Sequence, residues 1–172
     1  MTPLPAVLGG GELTAWRLDQ AIFAQTWDGG EGAFRVGGRW NPAGVRAVYC
    51  SLDPAAAILE VAVHTGFGAL DTVPYALTAF EITDPAAVHV VQPGDVTNPN
   101  WLQAGPPSAG QQAFGEKLLA AHAFVAIPSA VSRHSWNLVF VAARAVGKYH
   151  LRSQERFALD TRLHPPRVVR GS

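Results

Sequence analysis

A turn, a strand and a helix follow one another closely in the first third of the chain, and this succession constrains the fold more than any other feature. Asn-Pro-Ala-Gly at 41–44 predicts a chain reversal, because proline and glycine favour turn conformations. The alternating, β-branched run over 45–51 predicts a strand. A helix is predicted over 55–64, since Asp53 can cap free N–H groups and Pro54 suits the first turn. We interpret the rest of the chain as scaffold around these elements.

Each of the three elements carries one candidate functional residue. Glu60 lies among apolar neighbours on the predicted helix, so it is either on a thin solvated face or a carboxylate that is paired or poised for chemistry. Arg39 follows two glycines and either holds a phosphate or packs on Trp40. The ring of Tyr49 belongs either to the core or to a pocket wall. Taken singly, none of the three compels a function.

Composition narrows the class of protein. A chain of 172 residues predicts one domain with a proper core. Lys plus Arg equals Asp plus Glu at 13 each, so no overall charge points to nucleic acid or membrane. The single cysteine, Cys50, excludes an internal disulfide framework and is expected to be a small buried hydrophobe. No signal peptide or membrane-length apolar run is visible, so we expect a cytoplasmic protein.

The sequence pattern of the remaining segments predicts short strands interrupted by two or three helices. This succession is typical of a single α+β domain built around a bent, mixed or antiparallel sheet. Strands are predicted over 14–18, 75–82, 88–91, 124–127, 136–143 and 156–159, and helices over 19–27, with Asp19 as N-cap, and over 111–122. The glycine-rich segment 28–38 is expected to be a loop, and 93–110 a long lid-like connection. The regular βαβ alternation of a dinucleotide-binding Rossmann fold is absent.

Common catalytic motifs are absent as well. The chain has no G-x-x-x-x-G-K or G-x-G-x-x-G phosphate cradle, no H-E-x-x-H metal motif and no G-x-S-x-G nucleophile elbow. Its six histidines are scattered. We therefore do not expect metal catalysis.

One family accounts for the candidate residues together. The pattern R-W-N-P-x-G-x-x-x-x-Y-x-S over 39–51, followed by Glu60, resembles the RES domain, the toxin of bacterial RES–Xre toxin–antitoxin modules. Further motifs fall in the family's order: A-W-R-L at 15–18, G-x-G-A at 30–33, N-P-N-W at 98–101, Q-A-F-G at 112–115, I-P-S-A-V at 127–131, Asn137 and F-x-L-D-x-R-L at 157–163. The resemblance predicts a RES domain over 14–163, with a flexible N-terminus at 1–13 and a tail at 164–172.

The resemblance implies a fold related to ADP-ribosyltransferase toxins and an activity on NAD⁺ without a metal. Members either break the nicotinamide–ribose bond with water or phosphate, or pass ADP-ribose to a protein, and an Xre-like antitoxin is the implied partner. A non-catalytic interaction domain is the remaining alternative. Carried over by motif, the catalytic residues are Arg39, Tyr49 and Glu60, and the substrate-binding residues are Ser129, Asn41, Asn137 and Ser51.

The chain departs from the family at one place. Many members carry an N-P-x-H run after the equivalent of Asn137, whereas this chain has Val-Ala-Ala-Arg at 141–144. We interpret the change as a continued hydrophobic strand. If the region shapes the pocket or the partner surface, specificity is expected to differ from that of the usual member.

Overall fold

The computed structural model describes residues 12–103 and 105–160. Apart from residues 12 and 13, the predicted N-terminus at 1–13 lies outside the described residues, as do the predicted tail at 164–172 and the last three residues of the 157–163 motif. Residue 13 already belongs to the first strand, and Glu12 forms an ion pair with Arg152 at 2.9 Å.

Within these described residues seven strands form one sheet: β1 Leu13–Gln20, β2 Val48–Ser51, β3 Tyr75–Ile82, β4 Val88–Val90, β5 Phe124–Pro128, β6 Trp136–Phe140 and β7 Tyr149–Phe157. Their spatial order is β4-β5-β6-β2-β1-β3-β7. Among these seven described strands only β4 and β5 run parallel, and every other neighbouring pair is antiparallel. The predicted α+β class with a mixed sheet is therefore confirmed.

In the part of the chain that the structure describes, four α-helices accompany the sheet: α1 Glu31–Val36, α2 Pro54–Thr65, α3 Phe67–Thr72 and α4 Ala109–Ala121. The α2 helix begins as predicted, because the Asp53 carboxylate accepts a hydrogen bond from the Ala56 N–H at 2.9 Å. It ends at Gly66, whose φ of 78° suits glycine and whose N–H donates to the Ala62 carbonyl. No helix within the described ranges has both the length and the apolar character needed to cross a membrane.

The predicted helix over 19–27 is wrong. β1 continues through Gln20, and only a short 3-10 helix follows at Ala21–Thr26. Asp19 does not cap a helix, since its carboxylate pairs with Arg17 at 2.5 Å. The strand prevails because β1 pairs with β3 at each of its positions, and these ladder hydrogen bonds outweigh a local capping preference.

Three further sequence predictions need correction. The glycine-rich segment 28–38 contains a helix, α1, whose Glu31 forms ion pairs with Arg35 and Arg46. The last strand, β7, begins at Tyr149 rather than at 156. The sequence pattern misses its first part because β7 is a polar edge strand without hydrophobic alternation. The segment 141–144 does not continue β6, which ends at Phe140 before a 3-10 helix at Ala142–Arg144.

The two faces of the sheet are packed differently. One face carries an aromatic core in which Trp27 and Phe80 lie 4.8 Å apart between ring centroids, together with Phe124, Phe140 and Tyr149. The opposite face is covered in two places. The α4 helix and the 91–102 segment pack over one end, and α2 and α3 pack over the other. Between these two covered ends the sheet face remains open.

The α4 helix lies unusually close to the backbone at Trp40. A Cβ atom on Gly115 would sit 2.1 Å from the Trp40 carbonyl oxygen, well inside any real contact distance. The rings of Trp101 and Phe114 pack on Trp40 at centroid distances of 5.7 and 6.4 Å. Gly115 therefore sets how closely α4 approaches the turn that carries Arg39.

We predict that Gly115→Ala lowers the free energy of unfolding by about 1–3 kcal/mol, because the new methyl group forces backbone apart. The matched control is Gly110→Ala on the same helix, where a Cβ meets nothing within 4 Å. That variant should be neutral or stabilised by up to about 1 kcal/mol, since alanine favours helix. Urea denaturation of the three proteins makes the measurement. Equal stability of the two variants would contradict this account of the packing.

Candidate active site

A cavity of about 550 Å³ occupies the open part of the sheet face. Its walls come from α2 on one side and from the turn at 37–40 and residues 105 and 107 on the other. Five of the seven residues selected from the sequence line it: Arg39, Tyr49, Ser51, Glu60 and Asn137. The fold thus brings together residues from a turn, two strands and a helix.

The cavity lies where two strands of the sheet part. β1 and β2 share a single registered pair, Trp16 with Ser51, whereas β1 pairs with β3 along its whole length. Where the backbones of β1 and β2 separate, the Arg17 side chain on β1 connects the two strands, because its Nη1 donates to the Tyr49 carbonyl of β2 at 2.8 Å. Residues of both strands line the cavity on either side of this gap.

Glu60 is held through one of its two carboxylate oxygens. Its Oε1 accepts hydrogen bonds from the Ser129 hydroxyl and the Asn137 Nδ2, both at 2.7 Å. The Asn137 Oδ1 in turn accepts from the Ser51 hydroxyl at 2.9 Å, so the amide orientation is fixed from both ends. Within the described residues, Oε2 accepts no hydrogen bond and keeps its acceptor capacity for a ligand.

The direction of the Ser129 hydroxyl is set by its surroundings. Its oxygen accepts from the backbone N–H groups of Val131 and Ser132 at 3.1 and 2.9 Å, which leaves its own proton for Glu60. Ser129 is 1% exposed and lies behind Glu60 rather than in the cavity wall. In this structure the serine therefore orients the carboxylate.

Tyr49 and Asn41 lock the turn that precedes the central strand. The Tyr49 hydroxyl accepts from the Trp40 N–H at 3.0 Å and donates to the Asn41 Oδ1 at 2.6 Å. The Asn41 Nδ2 donates to the carbonyls of Ala33, Pro42 and Val45, and its side chain is fully buried outside the cavity wall. Burial raises the pKa of Tyr49 above its ordinary value, so the phenol stays protonated and remains a donor.

Arg39 keeps a positive charge that no carboxylate within the described residues compensates. Its Nη1 donates to the carbonyl oxygens of Trp101 at 2.9 Å and Gln103 at 3.4 Å, which are neutral acceptors. The other arginine in the cavity wall, Arg17, is instead neutralised by Asp19. Of these two guanidinium groups, Arg39 is the one suited to an anionic ligand.

The sequence analysis missed Arg17 as a residue of the cavity. Arg17 belongs to the A-W-R-L motif, but nothing in the sequence of a single strand shows that its arginine reaches across to a neighbouring strand. Cys50 also lines the cavity, but it is 5% exposed, and burial raises the pKa of its thiol to about 12. The thiol is therefore no nucleophile at neutral pH.

No cluster of three or more metal-ligating side chains occurs within residues 12–103 and 105–160. Arg39, Glu60 and Asn137 instead provide a cation, a carboxylate and an amide around one cavity. Such a set can bind an anion and stabilise positive charge nearby.

Comparison with known proteins gives the family. The RES domain family matches residues 14–160 of the chain. A Prs ADP-ribosylating toxin of Sphingobium sp. (strain YBL2) is 32% identical over 141 residues, which cover 77% of this chain and 84% of the relative. The toxin Res of Photorhabdus laumondii subsp. laumondii is 28% identical over 152 residues, covering 86% and 95% of the two chains.

A solved structure has the same fold. The crystal structure of the M. tuberculosis MbcT–MbcA toxin–antitoxin complex contains a chain that superposes with a TM-score of 0.68 at 24% identity. The match covers 85% of this chain and 84% of that chain. The predicted fold, related to that of ADP-ribosyltransferase toxins, is therefore confirmed. The chain belongs to the RES domain family.

Proposed function

We propose that this protein is the toxin of a toxin–antitoxin module and that it cleaves the nicotinamide–ribose bond of NAD⁺, depleting the cofactor. The observation that carries the proposal is the carboxylate of Glu60, which Ser129 and Asn137 orient at the wall of a cavity. The same cavity holds Arg39, whose charge no carboxylate of the described residues compensates. The family membership and the toxin names of the curated relatives support it. A cytoplasmic site of action is part of the proposal.

The reaction needs stabilisation of positive charge at the ribose. When the C1′–N bond breaks, its electron pair moves to nitrogen, so the pyridinium leaves as neutral nicotinamide and the ribose becomes an oxocarbenium ion. The free Oε2 of Glu60 is suited to bind a ribose hydroxyl and to stabilise this cation. Water or phosphate then adds to C1′, and with water one proton passes to solvent. Because nicotinamide leaves as a neutral molecule, no metal ion is needed to stabilise negative charge on the leaving group.

Arg39 and Tyr49 take different parts in this proposal. The guanidinium of Arg39 binds the pyrophosphate of NAD⁺ or a phosphate co-substrate, since it is a cation beside the cavity whose acceptors among the described residues are neutral carbonyls. The Tyr49 ring packs against the substrate, while its hydroxyl holds the turn that carries Arg39. Ser51 and Asn137 act through their hydrogen-bond chain to Glu60.

A second candidate function is transfer of ADP-ribose to a protein. The specific observation in its favour is the 32% identical relative, which is named as a Prs ADP-ribosylating toxin. The same carboxylate and arginine serve both reactions, because the bond that breaks is the same. The two functions differ in the nucleophile that reaches C1′.

We also propose an antitoxin partner that keeps the cavity closed until the toxin is released. This part of the proposal is supported by the solved relative, which was crystallised as a toxin–antitoxin complex. An Xre-like antitoxin is the expected type.

Purified, antitoxin-free protein should release nicotinamide from NAD⁺, and chromatography of the second product identifies the nucleophile. Free ADP-ribose indicates water, and a phosphorylated ADP-ribose that forms only when phosphate is present indicates phosphate. Label from NAD⁺ retained on a protein in lysate would favour the transfer reaction. A folded protein that releases no nicotinamide under any of these conditions would refute the proposed chemistry.

Glu60→Gln should lower kcat by about 100-fold or more, because it removes the charge that stabilises the cation. Ser129→Ala should lower kcat by about tenfold, since Asn137 still holds Oε1 while one charged hydrogen bond is lost. Glu116→Gln is the control, since Glu116 is exposed on α4. Initial rates of nicotinamide release measure all three. An active Glu60→Gln variant, or a control as impaired as that variant, would contradict the assigned role.

Arg39→Ala should raise KM for NAD⁺ by about tenfold or more, because a charge-assisted hydrogen bond contributes roughly 1.5–3 kcal/mol. The exposed Arg144 offers the control Arg144→Ala, for which no change in KM is expected. Isothermal titration of the slow Glu60→Gln protein with NAD⁺, with and without Arg39→Ala, separates binding from turnover. Equal affinity of these two proteins would show that Arg39 does not bind the substrate.

A further inference from the structure

Two consecutive glutamines at the start of α4 contact the surroundings of Arg39 from two sides. Gln111 reaches the carbonyl that accepts from the guanidinium, and Gln112 reaches the residue before Arg39. We propose that Gln111 and Gln112 are positioning residues that hold Arg39 in its ligand-binding orientation. The inference rests on the proposed function, because it gives Arg39 the role of binding the anionic part of the substrate.

Gln112 fixes the base of the arginine. Its Nε2 donates to the Gly38 carbonyl at 3.0 Å, across a sequence separation of 74 residues. The Gly38 N–H donates to the Asn41 carbonyl at 2.9 Å, so the peptide groups on both sides of Gly38 are bonded. The backbone that leads into Arg39 is thereby held between α4 and its own turn.

Gln111 fixes the acceptor at the other end of the side chain. Its Nε2 lies 3.5 Å from the Trp101 carbonyl oxygen, the same oxygen that accepts from Arg39 Nη1 at 2.9 Å. Its Oε1 accepts from Asn98 Nδ2 at 3.2 Å. Gln111 is 3% exposed, and a buried amide has to find such partners within the protein. It therefore orients the Trp101 carbonyl towards the guanidinium.

The helix makes this two-point contact possible. Adjacent residues of an α-helix point about 100° apart, so consecutive side chains reach two different segments. The helix itself is fixed in place, because Ser108 caps it and Gly115 packs on Trp40. The N-P-N-W motif thus supplies the Trp101 carbonyl that accepts from Arg39, and the Q-A-F-G motif supplies Gln112, which bonds the preceding Gly38.

A positioned arginine and a free arginine differ mainly in binding. An unrestrained side chain loses rotational freedom when it engages a ligand, whereas a side chain that is already held loses less. The contribution of the glutamines should therefore appear in KM for NAD⁺ more than in kcat.

The first experiment measures the kinetics of Gln112→Ala, whose side chain is partly exposed and therefore tolerates truncation. KM for NAD⁺ should rise about three- to tenfold while kcat stays within about twofold. In an Arg39→Ala background the same substitution should change KM no further, since the residue being positioned is gone. Ile82→Val, a core truncation on the opposite face of the sheet, controls for loss of stability and should leave KM unchanged. A rise in KM that persists without Arg39 would overturn the proposal.

A second measurement does not depend on turnover. In ¹⁵N spectra of arginine side chains, the Arg39 signal is assigned from its loss in Arg39→Lys. In the wild type, the Nη protons of the restrained Arg39 guanidinium should give separate signals. In Gln112→Ala and Gln111→Met, faster rotation of the guanidinium should average them into one signal. Unchanged Arg39 signals in both variants would refute the positioning role. If wild type does not act on NAD⁺, the proposed function fails, and these spectra alone decide whether the glutamines hold Arg39.

Discussion

The hydrogen bond between the Tyr49 hydroxyl and the Asn41 side chain joins the two parts on which the site depends. Tyr49 belongs to the central strand β2, and Asn41 is the centre of the turn that carries Arg39. Both polar groups are buried, so breaking this contact leaves an unsatisfied donor or acceptor at a cost of about 1–3 kcal/mol. The position of Arg39 relative to the sheet is thus set by the core of the protein and not by a surface loop.

The same structure keeps two opposite charges apart. Glu60 is held by a hydroxyl and an amide, and Arg39 is held by backbone carbonyls. Within the described residues neither group forms an ion pair, so neither charge is cancelled by a protein partner. A substrate with an anionic pyrophosphate and a ribose that becomes cationic matches this separation. If Glu60 and Arg39 paired with each other, each would lose strength as a binding group for the substrate.

Local signals in the sequence predict part of this arrangement. Asp53 and Gly66 mark the ends of α2 because capping and positive φ are properties of single positions. The motif around Arg39, Tyr49 and Glu60 likewise gathers residues that do meet in one cavity. The extension of β1 through Asp19, by contrast, depends on its pairing with the distant β3. The role of Ser129 behind Glu60 depends on a contact across 69 positions, which no local pattern reveals.

The departure from the family pattern at 141–144 can be understood from the geometry of β6. Asn137 lies near the start of this strand, where it bonds Glu60, and the strand ends at Phe140. At about 3.3 Å per residue, the 3-10 helix at Ala142–Arg144 begins at most roughly 17 Å from Asn137 along the chain. The cavity wall does not include this segment. Its exposed residues, Ala143 and Arg144, therefore lie on the protein surface beyond the end of β6 and not among the residues that line the cavity.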